Sequence, residues 1–196
     1  KITMLEVKGG NVRVKGEISS ISRHQDNSDE ITYIIKEEGA VIPTSLGDGF
    51  KVVSAAAWDL KKAVEAGGEV ILTSDVILTS TLNVNNTTVL NLGGCTLKNQ
   101  VDNTSTDVIV VGSAGNLTIN GEGTVEAVTG NDGYAVITEG ILTINGGTFK
   151  AGVDAEGETN AVVYVRGNGS VYVNGGTFPN DNNSNFVLNK KDGDRT

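Results

Sequence analysis

The sequence predicts an all-β repeat fold, a stack of coils built from short strands. Three observations predict it. A motif recurs four times, as Leu90-Asn-Leu-Gly-Gly-Cys-Thr-Leu-Lys98, Leu117-Thr-Ile-Asn-Gly-Glu-Gly-Thr-Val-Glu126, Leu142-Thr-Ile-Asn-Gly-Gly-Thr-Phe-Lys150 and Val171-Tyr-Val-Asn-Gly-Gly-Thr-Phe-Pro179. The motifs start 27, 25 and 29 residues apart, a spacing that belongs to stacked supersecondary units. No such unit can bury its apolar face alone, so neighbours must share a core. Finally, 26 glycines stand against 2 prolines, and the glycines recur at fixed places in the motif, so they serve turns rather than linkers.

Residues 1–50 read as a small β-rich attachment segment. Leu5-Glu-Val7 and Val12-Arg-Val14 alternate apolar and polar residues around Gly9-Gly10-Asn11, which predicts a β-hairpin. Ser19 to Glu30 is polar and predicts a loop. Ile31 to Ile35 predicts a strand, with a turn at Glu37-Glu38-Gly39. A helix is predicted at about residues 54–66. Ser54 caps it, Ala57, Leu60, Ala63 and Val64 form one apolar stripe with Trp58 beside it, and Gly67-Gly68 ends it. Alternating Val70, Leu72, Val76, Leu78, Leu82 and Val84 predict strands, and the coils are expected from residue 85 onward.

Within each coil a Leu-x-Ile strand precedes Asn-Gly and a second strand that begins with threonine. Superposing the motifs gives three inward columns. They are Leu90, Leu117, Leu142, Val171; Leu92, Ile119, Ile144, Val173; and Leu97, Val125, Phe149, Phe178. Like side chains then stack at the inter-strand spacing of about 4.8 Å. Asn120, Asn145 and Asn174 form a further structural ladder before glycine. Asparagine tolerates the left-handed backbone of a sharp bend, and its amide can bond to the next coil. A third apolar strand, at Val108-Ile-Val-Val111, Ala135-Val-Ile137, Ala161 to Val165 and Phe186-Val-Leu188, accounts for the rest of the period as three strands and three bends.

The 196 residues carry a formal charge of −9. Residues 69–196 hold 14 acidic and 6 basic groups, which argues against nucleic acid and anionic membrane as partners. No apolar run reaches the length of a membrane span. No signal peptide is recognisable, and a chain starting at Lys1 reads as a processed or trimmed product. The one cysteine, Cys95, leaves no intrachain disulfide and reads as a small buried residue beside Gly-Gly.

With these columns in place, residues 54–196 resemble the right-handed parallel β-helix of the pectate-lyase-like superfamily. The resemblance rests on the Asn-Gly bend, the stacked columns and the preceding helix. It implies three strands per coil and a helix plugging the open end of the stack. The LTINGGTF style is similar to non-catalytic β-helices in surface proteins of gut bacteria and in appendages of their phages. Such a fold hosts lyases, hydrolases, adhesins and phage spikes alike, so it does not fix a function.

Cleavage of a polysaccharide needs two facing carboxyls, or a base with a cation. The long segments 99–106, 127–133, 151–160 and 179–185 carry Asp102, Asp132, Asp154, Glu156, Glu158 and Asp181. They show no Asp-Asp pair, Asn-x-Asp triplet, Gly-His-Gly or Arg-x-Lys motif. Asp154–Glu158 and the Asn-rich run 180–185 are rich in oxygen but lack EF-hand spacing. These acids are therefore read as solvated, partner-facing loop charges, and His24 as solvent-exposed. No catalytic residue, cofactor or metal is assigned.

Surface and assembly remain. Ile109 and Ile137 are expected to point outward, giving a sheet apolar on both faces that the N-terminal segment or another copy would cover. An uncapped coil end invites further pairing. The expectation is a non-enzymatic structural protein of the virion, a phage capsid fibre or tail appendage. Its partners would be proteins of an assembly, with a homotrimer and a glycan receptor as candidates. The alternative is an extracellular, adhesin-like module of a bacterial cell surface. A polysaccharide lyase or hydrolase ranks third.

Overall fold

The computed structural model describes residues 1–24, 30–100, 107–128, 133–152, 161–179 and the backbone of 188–190. The chain is a parallel β-solenoid with, among the described residues, a single helix. It divides into two compact units, Lys1–Asp59 and Leu60–Thr196.

The first unit contains β1 (Leu5–Val7), β2 (Asn11–Val14), β3 (Ile21–Arg23), β4 (Thr32–Lys36) and β5 (Phe50–Ser54). The predicted hairpin does not form. β1 pairs with β3, β2 with β4, and β4 with β5, all in parallel. The Gly9-Gly10 turn carries the chain from one sheet to another instead of folding it back on itself. β3 lies inside the stretch expected to be a loop. It is three residues long with one apolar side chain, Ile21, which is too short to give a periodic signal. Ile21 is buried with Val7, Val14, Ile18, Ile34 and Ala40. On the other side of β4, Ile35 packs with Val53 and Ala55, and Tyr33 meets Trp58 with ring centroids 5.2 Å apart.

The helix α1 spans Ala55–Ala66. Ser54 Oγ accepts the Ala57 N–H at 3.2 Å, a capping bond for one of the amides that have no intrahelical partner. Ala57, Leu60 and Val64 are buried along one stripe. Asn86 fastens the far end. Its amide donates to the carbonyls of Val64 and Glu65, both at 3.0 Å, in the last turn where carbonyls lack helical donors. Asn86 Oδ1 in turn accepts from the buried Thr88 hydroxyl at 2.7 Å.

The second unit holds three parallel sheets. One runs β6 (Gly68–Ile71), β9 (Thr87–Asn91), β12 (Asn116–Asn120), β15 (Ile141–Ile144) and β18 (Ser170–Val173). Another runs β7 (Val76–Leu78), β10 (Thr96–Asn99), β13 (Thr124–Glu126) and β16 (Thr148–Lys150). The last runs β8 (Leu82–Val84), β11 (Ile109–Val111), β14 (Val136–Thr138), β17 (Val163–Val165) and β19 (Leu188–Lys190). Stacking thus begins at Gly68, ahead of the expected residue 85. The first bend lacks Asn-Gly and hides in the sequence. There Asp75 accepts the Thr96 N–H at 2.7 Å, holding the bend to the coil that follows.

The column that starts Val76, Leu97, Val125, Phe149 has the expected register. The strand before it does not. Leu90 pairs with Ile119 and Thr88 with Leu117, so the first motif sits two residues from its alignment. The cause is the bend. Residues 92–96 separate Asn91 from Leu97, 121–124 separate Asn120 from Val125, and 146–148 separate Asn145 from Phe149. Matching the Gly-Gly pairs therefore slips the strand. An even slip keeps every side chain on its own face, so inward and outward assignments survive while partners change.

Two of the three kinds of connection stay short. From the β6 sheet to the β7 sheet the chain uses residues 72–75, 92–95, 121–123 and 145–147. From the β8 sheet back to the β6 sheet it uses 85–86, 112–115, 139–140 and 166–169. At this second corner the coils touch backbone to backbone. A Cβ on Gly140 would stand 2.2 Å from the Gly115 carbonyl oxygen and 2.4 Å from that of Gly112. The remaining connection, from the β7 sheet to the β8 sheet, grows from 79–81 to 100–108, 127–135 and 151–162.

Candidate functional site

The asparagine ladder is the most regular polar feature of the second unit. Asn145 Nδ2 donates to Asn120 Oδ1 at 2.8 Å, and Asn174 Nδ2 donates to Asn145 Oδ1 at 2.8 Å. Every bond points toward the earlier coil. Asn91 stands in register with Asn120 and extends the column by one rung that the motif alignment missed. Its Oδ1 accepts the Gly93 N–H at 3.1 Å, which closes the local bend. The signal that could have found it is Asn at the strand end; a displaced Gly-Gly obscured it. Phe149 and Phe178 stack beside the ladder, with centroids 5.4 Å apart and planes 17° off parallel. Offset stacking of this kind adds to the burial of both rings.

Asp102, Asp132, Asp154, Glu156, Glu158 and Asp181 lie outside the described residues, as do Phe186 and the Asn-rich run 180–185. Their flanking strands are described. Asp102, Asp132, Asp154, Glu156 and Glu158 all belong to the one kind of connection that varies in length, between the β7 and β8 sheets.

The outer face of the β8 sheet differs from expectation. Ile109 points inward with Leu82 and Val136, as the buried, half-buried, buried pattern of β11 shows. The outward column is Asn83, Val110, Ile137, Tyr164. Ile137 is 0% exposed although it faces out. Tyr164, its neighbour in register, stacks on Tyr134 at 5.0 Å with planes 16° off parallel, and the Arg166 guanidinium lies 5.3 Å over the Tyr164 ring. Both tyrosines are half-buried, and Tyr164 stands beside Ile137 in register on this face.

Among the described residues, several acids have structural partners. Asp75 holds Thr96, and Asp107 Oδ1 accepts the Tyr134 N–H at 3.3 Å. In the first unit, Arg13 bridges Glu37 at 2.9 Å and Asp59 through both of its terminal nitrogens. The hydrogen bond to Asp59, then that to Glu37, raises the guanidinium further above its ordinary range, so Arg13 is charged at every working pH. His24 Nδ1 lies 3.1 Å from Glu6 Oε1 on an exposed surface. Cys95 is half-buried rather than buried, because its bend sits at the rim of the coil; its thiol lies 3.7 Å from the Leu72 carbonyl.

Asn99 is a buried polar residue that sequence reasoning passed over. It pairs in register with Leu78 in an otherwise apolar column, and its Oδ1 accepts the Val128 N–H at 2.8 Å. A buried amide without such a partner would be costly. Asn99 therefore ties the exit of β10 to the segment that leaves β13. Among the described residues no three of His, Cys, Asp and Glu come together as metal ligands, and no helix is long and apolar enough to cross a membrane.

Comparison with protein-family models, with curated proteins and with solved structures finds no match for this chain.

Proposed function

We propose that this chain is a non-enzymatic virion component, a phage capsid fibre or tail appendage. Residues 1–50 would attach it, and residues 51–196 would project as a right-handed, three-strand parallel β-helix of pectate-lyase-like type with α1 as its cap. The observation that carries the reading is where the chain varies. Two kinds of connection are short, and one of them is closed by backbone-to-backbone contact at Gly140. Only the connection from the β7 sheet to the β8 sheet lengthens. That is how a scaffold presents variable segments to a partner from a fixed frame. The right hand is the one that parallel crossovers take. The bonds from Asn86 to the end of α1 support the capping role.

A second reading is an extracellular, adhesin-like module of a bacterial surface that binds a glycan or a host protein. Tyr134, Tyr164 and Arg166 favour it, since stacked rings beside a cation are a common surface for sugars.

The deciding experiment pairs light scattering on residues 1–196 with mass spectrometry of purified virions. A trimer that is also found in virions supports the first reading. A stable monomer never found in virions ends it and leaves surface display.

A further inference from the structure

We propose that β5 is a self-association edge, where a second copy of this chain adds its own β5 antiparallel about a two-fold axis at Val52. β5 runs five residues, Phe50–Ser54, and is the longest strand at a sheet edge among the described residues. β4 pairs with one side of it, and no described strand pairs with the other. Strand residues turn their N–H and C=O groups alternately to the two sides. The Thr32 N–H donates to the Gly49 carbonyl at 2.8 Å, which sets the alternation here. Lys51 and Val53 therefore face β4, while Phe50, Val52 and Ser54 turn their backbone groups to the free side.

The side chains at this edge are open as well. Val52 continues the inward column of Val12 and Ile34, yet it is 42% exposed where Ile34 is 0% exposed. Ile42, Leu46 and Phe50 pack against the same core and are only half-buried. An edge that is both unpaired and apolar is a template for another strand.

The sequence of β5 suits a second copy of itself. Centred on Val52, the antiparallel register sets Val52 against the partner's Val52, Phe50 against the partner's Ser54 and Lys51 against the partner's Val53. Apolar meets apolar at the axis, and no like charges stand opposite. The two Val52 residues exchange both of their backbone hydrogen bonds, as directly opposed residues of this kind do. The Ser54 N–H is free to reach the partner's Phe50 carbonyl, while the Ser54 carbonyl belongs to the helix that its hydroxyl caps. A register centred on Lys51 would instead set two lysines opposite each other. Lys51 thus excludes that pairing, the guarding role that lysine has on natural edges. A two-fold contact uses the same patch on both copies, so it closes at the dimer. This edge does not depend on the virion reading, because a dimer can be present in virions or absent from them.

The test is the mass of residues 1–196 by light scattering and sedimentation equilibrium. The contact is small, so a dimer is expected to appear between about 1 μM and about 1 mM. The variant V52P removes only the N–H on the free side, and proline is tolerated on an edge strand. Lys51 and Val53 keep their bonds to β4. With native circular dichroism, V52P should raise the dissociation constant about thirtyfold, as loss of the two exchanged bonds of ordinary worth allows. V52K sets like charges together at the axis and should leave a monomer throughout the range. In the parent chain, hydrogen exchange at the Val52 amide should slow with concentration while that at Lys51 stays constant. A parent chain that is monomeric up to about 1 mM overturns the proposal. So do folded V52P and V52K chains that dimerise as the parent does. A trimer, which a two-fold contact cannot build, overturns it too, whatever mass spectrometry of virions finds.

Discussion

The two units pair their strands in the same way, yet only one announces it. In Leu60–Thr196 the parallel partners are like residues, such as Leu117 beside Leu142 and Ile119 beside Ile144. In Lys1–Asp59 they are mixed, aliphatic beside aliphatic at Val12 and Ile34 but charged beside apolar at Arg13 and Ile35. The spacing also drifts, with Leu5 beside Ile21 and Asn11 beside Tyr33. Parallel stacking therefore does not require a repeated sequence. What repeats in the second unit is corner chemistry, the Asn ladder and the glycines that let coils touch. Where corners are looser, the strands still stack, held by a local core around Ile34.

The sharpest way to break this comparison is to place one methyl group at a corner of each unit. Gly140→Ala drives a Cβ into fixed backbone, so a loss of about 3 kcal/mol or more is expected in chemical denaturation. Gly10→Ala meets nothing within 4 Å and faces only its φ of 78°, a cost of about 1–2 kcal/mol. Equal losses would show that corners matter alike in both units.

Next in size is the aromatic stack. Phe149→Ala, which empties a fully buried site, is expected to cost about 3–5 kcal/mol. Phe178→Ala, at the half-buried end of the same stack, should cost under about 2 kcal/mol by the same measurement. Removing the helix fastening with Asn86→Ala takes its amide from the Glu65 carbonyl and from that of Val64, which keeps the Gly67 N–H at 3.1 Å, for a loss of about 1 kcal/mol. A loss near zero would show that water replaces the amide.

The smallest effect is expected in the first unit. Arg13→Gln breaks an exposed network with Glu37 and Asp59. The change in melting temperature should be slight at low salt and vanish at about 1 M salt, where screening acts within a few ångströms. The raised guanidinium value means that Arg13 stays charged on the acid side of the unfolded Arg range, so the part of the contribution that comes from its own titration is lost as pH rises through the folded value.

The pattern of legibility follows from the same physics. The helix was readable because Ser54, the Ala57-Leu60-Val64 stripe and Gly67 act locally. The Phe149 column was readable because bends of similar chemistry end in the same strand. The coil at Gly68 was not readable, because Asp75 does the work there that asparagine and glycine do later. Asn91 was not readable, because its bend is longer than the others. β3 was not readable, because one inward isoleucine in three residues carries no period. The stack of Tyr134 on Tyr164, beside Ile137, joins residues thirty positions apart, so no local pattern could disclose it.

The unequal corners also decide how such a chain can change length. Residues added between the β7 and β8 sheets need not disturb the strands on either side, and lengths from three to twelve residues coexist there. One residue added at 139–140 would push Ile141 to Ile144 out of step with both neighbours. Every inward side chain of that strand would turn to solvent. Insertions and deletions are therefore channelled to a single corner, and over generations this chain can acquire new surface there while keeping its frame.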